Sequence, residues 1–394
     1  MSRADAVSGV RNPPGVGDAP GYGGRPVHVR LVDPSAYTPP YDHALANALV
    51  RAGDRVTLVT SEFPYGRIPE PEGYAIEHGF YRRAVGPAGS RVRRVAKLAQ
   101  HVPDMRRLRR TARDADVVHF QWLAVQPLDV HLLPKDRPVV LTAHDVLPRE
   151  ARAGQRDAQR RLYERVDAVV VHSIHGRDRL VDDLGVDPAS VHVIPHGAFR
   201  HLTTLTPAEL APALAHTKRP VVLFFGLLRP YKGVDVLLQA WDRLGEEGRA
   251  AELWVVGLPK MDTTALRAAA PAGVRFVDRF VTDEEAAAYF GRADVVVLPY
   301  REIDQSGVLF TALAFGRPLV LTAVGGFPEI AREGAAELVP PGDPDALADA
   351  LGTLLRDHGR RRALADRATE LATGPYSWDA IAQAHQRVYA SLLR

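Results

Sequence analysis

The chain has 394 residues, 50 basic and 47 acidic side chains for a net charge of +3, and 46% apolar residues. That length suits two α/β domains rather than one, and the near balance of charge excludes a polycation built to coat nucleic acid. With no cysteine, disulfides, thiolate nucleophiles and thiolate-bound zinc are excluded and a reducing, cytoplasmic setting is expected; no apolar run reaches the ~18 residues of a membrane-spanning helix.

Residues 1–25 are rich in glycine, proline and alanine without an apolar centre, so a disordered lead-in is expected rather than a secretory signal. VHVRLVDP then reads as a buried strand ending in a turn. After the loop SAYTPPYD, Asp42 is expected to cap the helix HALANALVRAG, and Gly53 stops it before the strand RVTLVTSE. This β-loop-α-β unit starts a parallel sheet. DVVHFQWL, PVVLTAHD, AVVVHS and VHVIPHGA continue it, giving an expected first domain over residues 26–200. Residues 201–218, rich in proline, threonine and alanine, read as a linker. A second alternating series, from PVVLFFGLL through AELWVVGLP, DVVVLPY and RPLVLTAV, marks a second domain over 219–377, and 378–394 reads as a terminal helix. Two serial βα halves predict doubly wound, Rossmann-like domains with a cleft between them, where ligands meet the carboxyl ends of the strands.

Residues 224–233, FFGLLRPYKG, run from a strand through Gly226 into a loop with Arg229 and Lys232, then Gly233 and a helix. Free amides, a positive helix end and paired cations form a diphosphate site. Only five residues of the chain are lysine, so Lys232 stands out from the arginine-rich background. Residues 298–330, LPYREIDQSGVLFTALAFGRPLVLTAVGGFPEI, end a strand at Tyr300 and open a helix at Ser306-Gly307. The amides near Ser306, Gly307 and Val308 can hold an anion or sugar hydroxyls, and Gly307 lets a ligand approach the backbone. His144 and Asp145 in LTAHDVLP follow a strand and should face the cleft, as should His119 in VVHFQW. His196 reads as a brace of the hinge, and His172 and His175 as structural residues at a helix start.

As a set, FFG, RPYKG, SGVL…ALAFGRP and VGGFPE resemble the donor half of the retaining GT-B enzymes of glycosyltransferase family four. The resemblance covers residues of about 220–378 and is looser over VDPSAYTPPYDHALANAL, VVHFQWL, LTAHD and VIPHG in the first half. It implies the GT-B architecture, with an acceptor-side first domain, a donor-binding second domain and a last helix that crosses back. It implies that Gly226, Arg229, Lys232, Ser306, Gly307 and Val308 bind the nucleotide-sugar donor. The family carries two glutamates with seven residues between them; Thr311 occupies the second position, which holds the nucleotide ribose. Counting back lands on Ile303, so Glu302 or Asp304 is expected to supply the first carboxylate. A histidine in the place of His144 touches the transferred sugar in the family; capping of its own loop is the alternative.

The expected function is therefore transfer of a hexose-type sugar to a glycan, lipid-linked or small-molecule acceptor with retention, and His144, Asp304 and Glu302 are the catalytic candidates. A non-catalytic protein of the same fold that binds a sugar nucleotide or a protein partner is the alternative. No cofactor or metal is expected, the nucleotide-sugar being a substrate and no ligand spacing being present. Between Arg82 and Arg113 there are eleven basic residues and one acid, Asp104. With Val92, Val95, Ala96 and Ala99 at helical spacing and Pro103 as a break, the segment reads either as a membrane-facing or phosphate-clamping surface or as a solvated basic helix. An anionic membrane surface is thus an expected partner and nucleic acid is not.

Overall fold

The computed structural model describes residues 26–63, 70–87, 90–147 and 154–394; the expected lead-in, and Pro148 at the end of LTAHDVLP, lie outside these. Short β-branched runs form two sheets in which every pairing is parallel. The first contains β1 (His28–Asp33), β2 (Arg55–Thr60), β3 (Ala75–His78), β4 (Val117–Phe120), β5 (Val139–Thr142), β6 (Ala168–Val171) and β7 (Val191–Val193), in the order β3-β2-β1-β4-β5-β6-β7. The second contains β8 (Val221–Phe225), β9 (Glu252–Val256), β10 (Val274–Val277), β11 (Val295–Leu298), β12 (Leu319–Thr322) and β13 (Ala336–Val339), in the order β10-β9-β8-β11-β12-β13. Runs such as VVLT and VVVL are buried along their whole length, because helices cover both faces of a parallel sheet. The strand order reverses between β1 and β4 and between β8 and β11. There the following loops part to opposite faces and leave a crevice.

The helix Trp378–Leu392 packs on the first domain although its sequence follows the second. Trp378, Ile381, Val388 and Tyr389 share a core with Leu31, Tyr41, Leu45 and Leu49. Arg51 of the helix Pro39–Arg51 pairs with Asp379 at 2.7 Å. Tyr389 also fixes a buried histidine, its hydroxyl lying 2.7 Å from His119 Nδ1.

Local expectations fail in two places. The helix after β1 begins at Pro39 with Thr38 as its cap, and Asp42 lies inside the first turn, 2% exposed. Proline suits a first turn because its missing N–H has no partner to lose there. Asp42 turns instead toward Asp33, whose carboxylate accepts the amides of Ser35, Tyr37 and Thr38. Burial, and then the neighbouring Asp33, push the Asp42 carboxyl well above the usual range, so Asp42 takes up a proton first. The basic helix also runs unbroken from Arg91 to Thr111, through Pro103. Buried His101, Asp104, Met105 and Leu108 anchor it on both sides of the proline, and that packing overrides the one lost hydrogen bond.

Trp378→Ala should destabilise the protein by about 3–5 kcal/mol, the usual cost of truncating a buried aromatic. Denaturant unfolding followed by circular dichroism gives the value; an unchanged midpoint would mean that the last helix does not brace the first domain.

Candidate active site

In the second domain, the β8 and β11 loops meet where the strand order reverses. Gly226 follows β8 with φ +112°, and a Cβ there would lie 3.1 Å from Lys232 Nζ and 3.3 Å from Val308 Cγ2. Gly226, Lys232 and Val308 therefore converge on one point from two loops. Lys232 ends the turn Pro230–Lys232 and is 7% exposed. Its ammonium donates to the Tyr300 hydroxyl at 3.0 Å and lies 4.7 Å from that ring's centroid. Gly233 follows with φ +68°, and any Cβ would lie 2.0 Å from the Pro299 carbonyl oxygen, so only glycine lets the turn close against the β11 loop. Arg301 holds the turn from outside, donating to Pro230 O at 2.9 Å and to both Asp235 oxygens. Arg229 is exposed at the rim.

Ser306 caps the helix Gly307–Ala314, and its own amide donates to Gln305 Oε1 at 2.9 Å. The Gly307 and Val308 amides open that helix, where N–H groups have no intrahelical acceptor. Thr311 is buried and its hydroxyl donates to Gly307 O at 3.0 Å, so the side chain is directed into its own helix. Glu302 is exposed. Asp304 is 7% exposed, and both of its oxygens engage the first domain: one accepts Val146 N at 2.9 Å, the other Arg179 Nη1 at 2.7 Å. Asp304 thus fixes the loop that carries His144, with Tyr163 Oη donating to Val146 O at 2.8 Å from the other side. Nearby, Glu329 of the second domain accepts the amides of Ile174 and His175, each at 3.1 Å.

Across the cleft, a chain of rings connects the first domain to the helix Gly307–Ala314. His144 stacks on Trp122, centroids 5.1 Å apart, and meets the edge of Tyr41 at 4.7 Å. His172 lies 5.0 Å from His144 and 5.5 Å from His196, and His196 stacks on Phe310 at 4.7 Å. Burial lowers the pKa of His172 to about 4 and of His196 to about 3, and it holds His144 well below the usual histidine range, with His172 and His196 adding to the shift. All three rings are neutral near pH 7. The proton order follows from the acceptors. His172 Nδ1 donates to Ile194 O at 3.0 Å, leaving its Nε2 to accept from His144 Nδ1 at 3.1 Å. His144 Nε2 is then a bare acceptor facing the Gln121 carboxamide 3.3 Å away. The amide orientation that donates to it also gives a partner to the Gln121 nitrogen, which is otherwise buried and unsatisfied.

His119 does not reach the acceptor side as expected. It is fully buried between Tyr389 Oη and Thr142 Oγ1. His172, expected to be structural, lies within the ring chain, whereas Trp122, Tyr300, Arg179 and Glu329 were not singled out at all. For Trp122, His172 and Tyr300 a signal existed, since each stands just beyond the end of a strand.

A second recess of about 390 Å³ lies beyond β2 and β3, lined by His78, Tyr81, Arg82, Arg93 and Lys97 among others. Tyr81 has φ +54°, a strained conformation for a bulky residue. It is held by Asp104 Oδ2 on its amide at 2.8 Å and by His101 Nδ1, 2.8 Å from its hydroxyl; His101 Nε2 is in turn 2.5 Å from Asp129. Lys97 lies over the Tyr81 ring at 4.8 Å. Burial, then Arg93, lowers the Lys97 pKa. Among the described residues no cluster of histidine and carboxylate side chains could hold a metal ion.

Two Rossmann-like domains facing across a cleft, with a cationic glycine loop at the switch point of the second, define the GT-B class of glycosyltransferases. Residues 41–198 match the family described as Glycosyltransferase Family 4, and residues 219–357 match Glycosyl transferases group 1. The D-inositol 3-phosphate glycosyltransferase of Xylanimonas cellulosilytica is 33% identical over 70% of this chain and 72% of its own length; that of Nocardia farcinica is 30% identical over 71% and 67%. Sucrose-phosphate synthase from Thermosynechococcus elongatus superposes with a TM-score of 0.72 at 22% identity, covering 93% of this chain and 99% of that one. Anabaena HepE in complex with UDP and glucose gives 0.69 at 19%, covering 93% and 100%. The chain belongs to glycosyltransferase family 4, and it is a glycosyltransferase.

Two outcomes follow. Because burial depresses the folded pKa of these histidines below the ordinary 6.5 or so, the unfolded chain binds more protons, and stability falls as pH drops from about 6.5 toward 4, by up to ~1.4 kcal/mol per pH unit for each histidine. Thermal melts across that range should show the loss, and His172→Gln should flatten it; a flat wild-type profile would mean that the rings are not held neutral. Asp304→Ala leaves the Val146 amide without its acceptor and Arg179 with only Asp183 at 3.6 Å, and a loss of roughly 1.5–3 kcal/mol is expected, together with a lower kcat from a loosened His144 loop. Full rate and full stability in this variant would remove Asp304 from the site.

Proposed function

We propose that the protein transfers a hexose from a UDP-hexose to a phosphorylated polyol or sugar, with retention of anomeric configuration. The observation that carries this reading is the convergence of Gly226, Lys232 and Val308 at the second switch point, with Arg229 at its rim. That arrangement suits a diphosphate: an ammonium and helix-start amides meet where a side chain on Gly226 would crowd Lys232 and Val308, and the Arg229 guanidinium is exposed in the same loop. The uridine base is supported by structural neighbours solved with UDP and UDP-glucose. The phosphorylated acceptor is supported by the names of the relatives and by the recess that carries Arg82, Arg93 and Lys97.

In this reading Lys232 and Arg229 neutralise the leaving diphosphate as the bond from C1 to its oxygen breaks and the electron pair departs with phosphate. The acceptor hydroxyl bonds to C1 on the same face, and its proton passes to the leaving phosphate oxygen. Preorganised donors of this kind contribute about 3–4 kcal/mol each to the transition state. In this reading a hydroxyl of the donor sugar replaces the Gln121 carboxamide, 3.3 Å away, as the donor to the uncharged His144 Nε2. Asp304 acts on it through the Val146 loop. Glu302 remains a candidate only as a rim residue.

Lys232→Ala should weaken UDP binding by roughly 1.5–3 kcal/mol, the worth of a charge-assisted hydrogen bond, as read by calorimetry; equal affinity in the two proteins would sink the donor assignment. A thermal-shift comparison of UDP-, GDP- and ADP-hexoses should single out the uridine donor. With that donor, Lys97→Ala should raise KM for a phosphorylated acceptor and leave UDP affinity unchanged, and proton NMR of the product should show the donor's anomeric coupling. An inverted product, or a phosphate-independent KM, would overturn the corresponding half of the proposal.

A further inference from the structure

The first two and a half turns of the helix Arg91–Thr111 have no buried face: none of residues 91–100 is buried. Val92, Val95 and Leu98 are 60%, 68% and 52% exposed, and Val85 in the preceding loop is 65% exposed. These are four of the eleven large exposed apolar side chains among the described residues, gathered within fourteen positions while the rest are scattered. Hydrogen bonds tie Ala84 and Gly86 to the helix start. Ser90 caps the Arg93 amide at 3.2 Å, and the Arg93 guanidinium donates to Ala84 O and Gly86 O at 3.1 and 3.2 Å. Six basic residues lie between Arg82 and Lys97, and no acidic residue occurs between Glu77 and Asp104.

We infer that this wedge seats the first domain on an anionic lipid bilayer, with Val85, Val92, Val95 and Leu98 entering the headgroup boundary and Arg91 and Arg94 meeting lipid phosphates. Apolar side chains ringed by arginine suit a surface that is negatively charged outside and hydrocarbon beneath. A second copy of the chain would bring like charges together, and a nucleic acid would leave the valines and leucine unused. Arg93 and Lys97, on the same helix, line the 390 Å³ recess. Docking therefore places the mouth of that recess at headgroup level.

The test is flotation of the full chain with vesicles of phosphatidylcholine alone or containing about a quarter phosphatidylglycerol, at low and high salt. Binding is expected only with the anionic lipid and should weaken with salt, since charges are screened beyond about 10 Å at 0.1 M. The double variant Val95→Asp, Leu98→Asp should bind at least roughly tenfold more weakly. Arg91→Gln and Arg94→Gln should each cost about fivefold. All four positions are outside the donor cradle and the recess, so UDP affinity and circular dichroism should stay at wild-type values and exclude misfolding. Absence of binding at low salt, or equal binding to neutral vesicles, overturns the inference. So does a concentration-dependent dimer in sedimentation that the aspartate variant abolishes while vesicles bind neither protein, because the occupant is then a second copy.

Discussion

The cleft depends on carboxylates of one domain capping backbone N–H groups of the other. Asp304 takes the Val146 amide and Glu329 takes those of Ile174 and His175. Strand ends and helix starts face the cleft in both domains, so each side presents amides that no strand or helix satisfies. The Val146 amide is buried and needs an acceptor, and the second domain supplies it. The resulting seam is directional and short-ranged, unlike an apolar interface that could slide. It sets the distance from the ring chain of the first domain to the cationic loop of the second, and that distance determines which donor and acceptor atoms can meet.

Charge is divided across this seam. In the second domain Lys232 is buried against Tyr300 and Arg229 is exposed, and in the proposed reaction an incoming diphosphate supplies their counter-charge. On the opposite wall, burial strips charge away: His144, His172 and His196 are neutral rings ordered by the Ile194 carbonyl. In the proposed reaction a neutral wall leaves the field of the cations directed at the leaving group alone. The recess beside β2 and β3 repeats the cationic theme at a distance, on a strained tyrosine buttressed by His101 and Asp129.

Much of the fold was legible because most of its strands are short runs rich in valine and leucine closed by polar residues, and because the central strands of a parallel sheet bury such runs completely. The cationic glycine loop was legible for a local reason: Gly226, Lys232 and Gly233 lie within eight residues, and their chemistry is that of one turn. What escaped the sequence was non-local. Glu302 or Asp304 was expected to supply the first carboxylate of the motif, and nothing local announces that Asp304 has partners 158 and 125 positions away. His119 was expected to face the cleft as His144 does, yet it lies within β4 and the last helix covers it, and only the fold shows that. The helix through Pro103 was read as two pieces because one weak backbone bond was weighed without the buried residues on either side.

The return of the helix Trp378–Leu392 to the first domain makes the second domain, in topological terms, an insertion. A chain that emerges from its amino end forms β1 through β7 long before Ile381, Val388 and Tyr389 exist, and until then the apolar floor beneath Tyr41 and Leu45 faces water. The second domain meets no such delay, since its strands and the helices between them are contiguous. The order of maturation during synthesis is therefore inverted: the domain made first is completed last, and the closing step brings the two ends of the described chain onto the same body.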